Sequence, residues 1–309
     1  MTEERIVQLT DQWITAAKFE QALQDAWKIR NLSIYKNTRV TFHFPSSCKI
    51  MVEASVRLLS LANHLVEEGS QVTFKFEGEQ HEAMSYLNRA NFFALLSEQV
   101  VVLPVRPNPI VTSYYQGHSP NLVEFKAIHP RHIESVNVVP SQLADKLAAA
   151  ISTHSASQPF GQTPFTIFAE LISNVYHHSQ TELDGFAALQ VYKQRVQVVV
   201  SDSGIGLLET LRPKLLSPST KQLEDMELIR LFFRGDLAWD SGNKGQGLQE
   251  CARRSLKLHG SVSIRLALCS MHLNPSPHGY ETTNIHYQRH LVPLKGTHIC
   301  FSFPLDNSK

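Results

Sequence analysis

The sequence predicts an α+β protein, with a small N-terminal α/β domain of βαβαβ order and a larger C-terminal α/β sandwich. Three observations carry that reading. Residues 34–105 alternate between strand-like and helix-like stretches. The run VRPNPIVTSYYQGHSP at 105–120 holds three prolines and no helical period, which marks a linker. Beyond it, roughly three helical stretches interleave with five or six β segments.

A chain of 309 residues, 42% hydrophobic, accommodates two domains with real cores. The expected division is an amphipathic helical segment at 1–33, a small α/β protein-interaction domain at 34–105, a linker at 106–120 and the larger domain at 121–309. Lys+Arg 29 against Asp+Glu 28 leaves no basic excess, so nucleic acid is not indicated. Cys48, Cys251, Cys269 and Cys300 are scattered and form no C-x-x-C pair, which fits a reducing cytosol. Residues 1–30 carry early acids and no apolar block, so no signal peptide is expected. No apolar run is long enough for a bilayer, and a cytoplasmic protein is the expectation.

Residues 5–31 read as an amphipathic helical segment. Ile6, Leu9, Trp13 and Ile14, then Phe19, Leu23, Ala26 and Trp27, recur mostly at three- and four-residue steps, and Ile29 falls off the stripe. Such a stripe caps its own domain or serves as a homodimer or partner surface. Arg39–Phe44 (RVTFHF) alternates as a strand, and Ser47–Glu68 is a long helix that Gly69 stops. Val72–Phe76 is a second strand, His81–Ser97 a second helix and Gln99–Pro104 a third strand. No Gly-rich phosphate loop interrupts this order. The pattern is loosely similar to small STAS-type modules, which implies protein binding.

Asn121–Ile128 and His132–Val139 read as strands, and Pro140-Ser141 opens a helix. Phe165–Ser179 is an amphipathic helix with an apolar stripe of Phe165, Phe168, Leu171, Ile172, Val175 and Tyr176. Glu170 and Asn174, four residues apart, stack on another part of its surface, and His177 and His178 follow. Gly185–Tyr192 and Arg195–Asp202 are strands joined by a tight turn at Lys193-Gln194. The connection Leu207–Asn243 is long, with a helical piece near Gln222–Phe233; connections of that length are functional or mobile. Gly247–His259 is a helix stopped by Gly260, Ser261–Leu268 a strand, Met271–Pro293 an irregular insertion and His298–Phe303 the last strand.

Four motifs follow one another in order. They are Glu170-x-x-x-Asn174 on a helix, Asp202-Ser203-Gly204-Ile205-Gly206 after a β run, Gly242-Asn243-Lys244-Gly245-Gln246-Gly247-Leu248 opening a helix, and Gly296-Thr297 before the last strand. Together they resemble the GHKL (histidine-kinase-like, Bergerat-type) ATPase family. The resemblance covers Ser141–Leu305, about half the chain. It implies a Bergerat-type sandwich, a mixed sheet with helices on one face, and ATP with Mg2+ as ligands.

The residue types suit that chemistry. A carboxylate at a strand end, Asp202, can accept from an adenine amino group, which is the role the resemblance carries to it. Gly204 and Gly206 let the backbone pass close under a base. Magnesium takes oxygen ligands and keeps waters, and the resemblance assigns it to Asn174. Glu170, one turn away, is placed as general base on a water aimed at the γ-phosphate. Gly245, Gly247 and Leu248 open a helix whose free amides favour phosphate, and Lys244 adds a point charge. The resemblance gives Thr297 a water-mediated contact to adenine and makes the connection with its glycines an ATP lid. His178 and His177 serve phosphate or a partner, or simply end the helix as solvated groups.

Two departures from family patterns shape the function expected. His118, His129, His132 and His154 lack the helical hairpin of a phospho-acceptor, so a classical autophosphorylating kinase is not expected. No transducer domain is expected after the last strand. The histidine-rich stretch with His272, His278, His286 and His290 lacks a zinc-protease pattern and reads as a partner-contacting loop. The expected function is an Mg-ATP-binding ATPase whose slow turnover drives a conformational or assembly change. Its protein partner would dock through the N-terminal domain or the 271–293 insertion, as in a bacterial multi-protein system such as antiviral defence. An anti-sigma-factor-like serine/threonine kinase and a non-hydrolysing ATP-bound scaffold remain open alternatives.

Overall fold

The computed structural model describes residues 3–10, 12–27, 38–78, 81–108, 122–130, 132, 138–145, 163–240, 246–275 and 285–305. Glu3–Gln8 form a strand (β1) where a helix was expected. Ile6 and Val7 are adjacent β-branched residues, and a strand places one on each face. Trp13–Ile14 (β2) pair with Lys49–Ile50 (β4), so among the described residues of this segment only Ala16–Ala26 (α1) are helical. Thr15 caps α1, its hydroxyl accepting the Lys18 N–H at 3.3 Å.

β1, Thr38–Phe44 (β3), Gln71–Phe76 (β5) and Val101–Leu103 (β6) form a parallel sheet in that order. The crossovers are α1, Val52–Glu67 (α2), then Glu82–Arg89 (α3) with Phe92–Leu95 (α4). The single helix expected at 81–97 is split at Asn91, which sits at φ 66. Ile6, Thr41, Thr73 and Val101 pair in one row on the outer face of this sheet. Ile6 is 58% exposed and Val101 52%, so that face is uncovered by described residues, which is uncommon for a parallel sheet.

The second sheet has seven strands. They are Leu122–Ile128 (β7), Gly185–Val191 (β8), Arg195–Ser201 (β9), Ser261–Arg265 (β10), Ser270–Leu273 (β11), Ile285–Gln288 (β12) and His298–Pro304 (β13), in the order β12-β11-β10-β13-β9-β8-β7. Every described pairing is antiparallel, so the sheet is not mixed as expected. The stretch Met271–Pro293 is not irregular throughout, since its described residues include two strands. Met271 and Leu273 point to the core and Ser270 and His272 away, and β11 and β12 extend the sheet edge. The strand expected at 132–139 gives way to a helical segment at 138–145 (α5), and 133–137, like 109–120 of the linker, lie outside the described residues.

Residues of β9 alternate between two cores. Val196, Val198 and Val200 join the cluster under Thr163–His178 (α6) and Gln246–Lys257 (α10). Val199, with Phe186, Ala188 and Cys300, joins the cluster formed with α2 and the parallel sheet. Helices therefore cover one face, and α2 covers the other. α2 is buried nearly all round, yet Glu53, Arg57, Ser60 and His64 run along it as a polar seam at helical spacing. The seam meets polar residues of the antiparallel sheet. Arg57 donates to Glu53 at 2.6 Å and to Glu20 at 3.2 Å, and the Ser60 hydroxyl lies 2.8 Å from that of Ser201. Arg265, fully buried on β10, forks onto both oxygens of Glu20 at 2.9 and 3.1 Å and also donates to the Leu266, Ala267 and Val292 carbonyls. Among the described residues no helix is long and apolar enough to cross a membrane.

Candidate functional site

α6 buries Ile167, Phe168, Leu171, Ile172 and Val175 against the antiparallel sheet. Phe165, expected in that stripe, is exposed. The packing leaves Glu170, Asn174 and His178, at four-residue steps, along the rim of a cavity of about 260 Å³. Asp202 reaches it from the end of β9, Thr297 from the start of β13, Gly206 from the following loop, and Gly247 and Leu248 from the first turn of α10. Eight of the residues singled out from the motifs thus come together from segments far apart in sequence. Gly204 does not line the cavity; its Cα backs onto the Ser179 carbonyl. Lys244 and Gly245 lie outside the described residues.

Asp202 is 7% exposed. Burial pushes its carboxyl up from 3.8 to about 6, against the pull of the Gly204 and Thr297 N–H groups. The Gly204 N–H donates to it at 2.8 Å, and its own N–H donates to the Thr297 carbonyl at 3.0 Å. The Thr297 hydroxyl accepts the Leu207 N–H at 2.8 Å, so its proton is directed elsewhere. This crossing of two backbones requires Gly296. At φ +93 it sits so close that a Cβ would lie 2.0 Å from the Asp202 carbonyl oxygen.

Asn174 donates its amide N–H to Glu170 at 3.4 Å, a long bond that leaves its amide oxygen available for a cation. Glu170 in turn lies against the first turn of α10. A Cβ at Gly247 would fall 1.6 Å from its carboxylate oxygen, so only glycine allows this approach.

Among the lining residues that the sequence did not single out are Thr210, Lys214 and Phe232. All lie in the long connection, as Leu207–Leu211 (α7), a 3₁₀ turn Arg212–Lys214, Pro218–Lys221 (α8) and Asp225–Arg234 (α9). No motif marks them; a lysine and an aromatic in a connection carry no spacing signal. α9 buries Met226, Leu228, Ile229, Phe232 and Phe233, and Arg212 pairs with Asp225 at 2.7 Å, so the described part of the connection is packed. Burial, then the charges of Lys214 and His177, lowers the His178 pKa, which keeps its imidazole neutral near pH 7. No three His, Cys, Asp or Glu side chains among the described residues cluster as a metal cage. His272 and His286 pair across β11 and β12.

This constellation supplies a buried acceptor on the floor, an amide oxygen, a carboxylate and a helix N-terminus on one side, and a lysine on the other. It can hold a polar heterocycle with an anionic tail. The chain matches no model of a known protein family, no curated protein and no solved structure.

Proposed function

We propose that the chain is a GHKL-type ATPase that binds Mg-ATP in this cavity and hydrolyses it slowly to drive a partner protein. The observation that carries the reading is the convergence of Glu170, Asn174, Asp202, Gly247 and Thr297 on one cavity. Asp202 accepts from the adenine amino group, and the Thr297 hydroxyl supports the same edge. The phosphates run toward the first turn of α10 and Lys214, where backbone N–H groups and a cation await them. Asn174 offers the amide oxygen to Mg2+, which when bound neutralises charge on the phosphates. Glu170 takes the proton of the attacking water. Its place against Gly247 puts base and phosphate-binding turn side by side.

The uncovered face of the parallel sheet, with Ile6, Val101 and Leu103 exposed, is where the partner would dock. Ser203 and Ser60 connect the two regions, the Ser203 hydroxyl reaching the Ser60 carbonyl of α2 at 3.5 Å. Nucleotide held over Asp202 would therefore be felt at the helix beneath the docking face.

Calorimetry with ATP and Mg2+, run beside a phosphate-release assay, tests the reading. Glu170→Ala keeps ATP affinity and loses turnover by roughly 10²–10⁴-fold, the usual worth of a general base. Asp202→Asn loses affinity itself. Undiminished turnover in the first variant removes the base, and normal affinity in the second removes the site.

A further inference from the structure

The other face of the antiparallel sheet holds a second cavity, of about 460 Å³, inside the range usual for small-molecule sites, roughly 300–1,000 Å³. Its floor follows from strand alternation. Gln197 on β9 pairs with Ser302 on β13, which pairs with Ser261 on β10, giving one polar row. The next row runs from Cys300 through Ser263 and His272 to His286. The walls are the first turns of α1 and α2. Nothing in the proposed ATP site uses any of these groups.

Gln197 points to a ligand. It is 7% exposed, lines this cavity, and its side-chain carbonyl oxygen is buried without a partner. Leaving such a group unpaired is costly, so a polar occupant would repay it. The charge balance gives the sign of that occupant. Glu53 is held by Arg57 at 2.6 Å and by the Ser263 hydroxyl at 2.8 Å, and Glu20 by Arg57 and Arg265. Arg195, by contrast, meets only the Met51 sulfur at 3.9 Å and the Tyr192 ring at 5.6 Å among the described residues. Among the described residues its charge has no carboxylate partner. The 11-residue helix α1 adds its positive end, because the Thr15 hydroxyl takes the Lys18 N–H and leaves those of Ala16 and Ala17.

We infer that this cavity binds a small polyhydroxylated anion, a sugar phosphate or the ribose phosphate of a nucleotide. The anion is seated between Arg195 and the first turn of α1. The ligand hydroxyls bond the Ser261 and Ser302 hydroxyls, and one of them donates to the Gln197 carbonyl. The site is separate from the ATP cavity, with the sheet between them.

Calorimetry and thermal shift on the full chain with ribose 5-phosphate, UMP and unphosphorylated ribose test this. The expected result is binding of ribose 5-phosphate, UMP or both, at least roughly tenfold tighter than ribose and weakened at least roughly tenfold by Arg195→Met. Ribose 5-phosphate alone identifies a free sugar phosphate, and UMP binding identifies a nucleotide. Methionine keeps the packing on Tyr192 and Met51, and an unchanged unfolding transition shows that the variant is folded. Gln197→Leu should raise the melting temperature without ligand while abolishing the ligand shift. No binding of either phosphate at millimolar concentration, equal binding of ribose, undiminished binding by Arg195→Met, or a Gln197→Leu variant that melts lower and binds normally would each overturn the proposal.

Discussion

Arg265→Met probes the buried charge cluster between α1, α2 and β10. Four charges sit there: Glu20 and Glu53 against Arg57 and Arg265, a neutral set. Arg265 is 0% exposed. Its removal leaves Glu20 with only the Arg57 contact at 3.2 Å, and strips the Leu266, Ala267 and Val292 carbonyls of their guanidinium donor. Breaking a buried pair from one side costs about 3–5 kcal/mol, because a charge stays buried without compensation. Against the 5–15 kcal/mol typical of a whole domain, roughly a third of the stability goes. The double variant Glu20→Gln/Arg265→Met restores neutrality, since Arg57 still balances Glu53. It should recover part of the loss, the remainder being the three carbonyls left without their donor. Urea unfolding with the linear extrapolation measures all three proteins. If the double variant is as unstable as Arg265→Met alone, uncompensated charge is not the cause and the reasoning fails.

Three further outcomes are expected. Gly247→Ala should leave the unfolding midpoint near wild type, because the clash is with the flexible end of Glu170, yet cut ATP turnover by displacing that carboxylate; wild-type turnover would show that the close approach is idle. Asp202→Asn should gain stability over wild type as pH rises. The folded carboxyl, at about 6 against 3.8, holds more protons than the unfolded one, so wild-type stability falls as pH rises from 3.8 through 6, by up to about 3 kcal/mol. A stability difference between the two proteins that stays flat from pH 4 to 7 (roughly the window of the shift) would contradict the burial. His298 has the opposite sign. Its pKa is pushed well below 6.5, mainly by burial and then by Arg57 and Arg265, so it contributes stability above 6.5 that is lost on acidification, and His298→Gln should flatten the acid limb of the stability curve.

Much of the site could be read from residue spacing. Glu170 and Asn174 lie one turn apart on a helix, and Asp202 ends a β run, so local periodicity placed both and the structure brings them to one cavity. Lys214 and Phe232 arrive from a connection whose packing is tertiary, and nothing local announces them. The β1 strand was hidden because Ile6, Leu9, Trp13 and Ile14 fit a helical period, while its pairing with β3 is decided some thirty residues away. The helix α2 is legible at 47–68, but its burial on nearly all sides is not. Glu53, Arg57, Ser60 and His64 at helical spacing look like a water-facing stripe. Their partners Ser201 and Ser263 lie 141 and 206 residues further along, and only the folded chain brings them near.

The sharing of α2 between two sheets has a practical consequence for anyone handling this molecule in pieces. A fragment ending near Arg106 would lay bare the side of α2 that normally meets β8 and β9, and a fragment starting near Leu122 would expose Phe186, Ala188 and Val199 instead. Each would carry a sticky flank into solution, so expression of either half alone should yield aggregates, and co-expression of the two should restore a soluble, reconstituted pair.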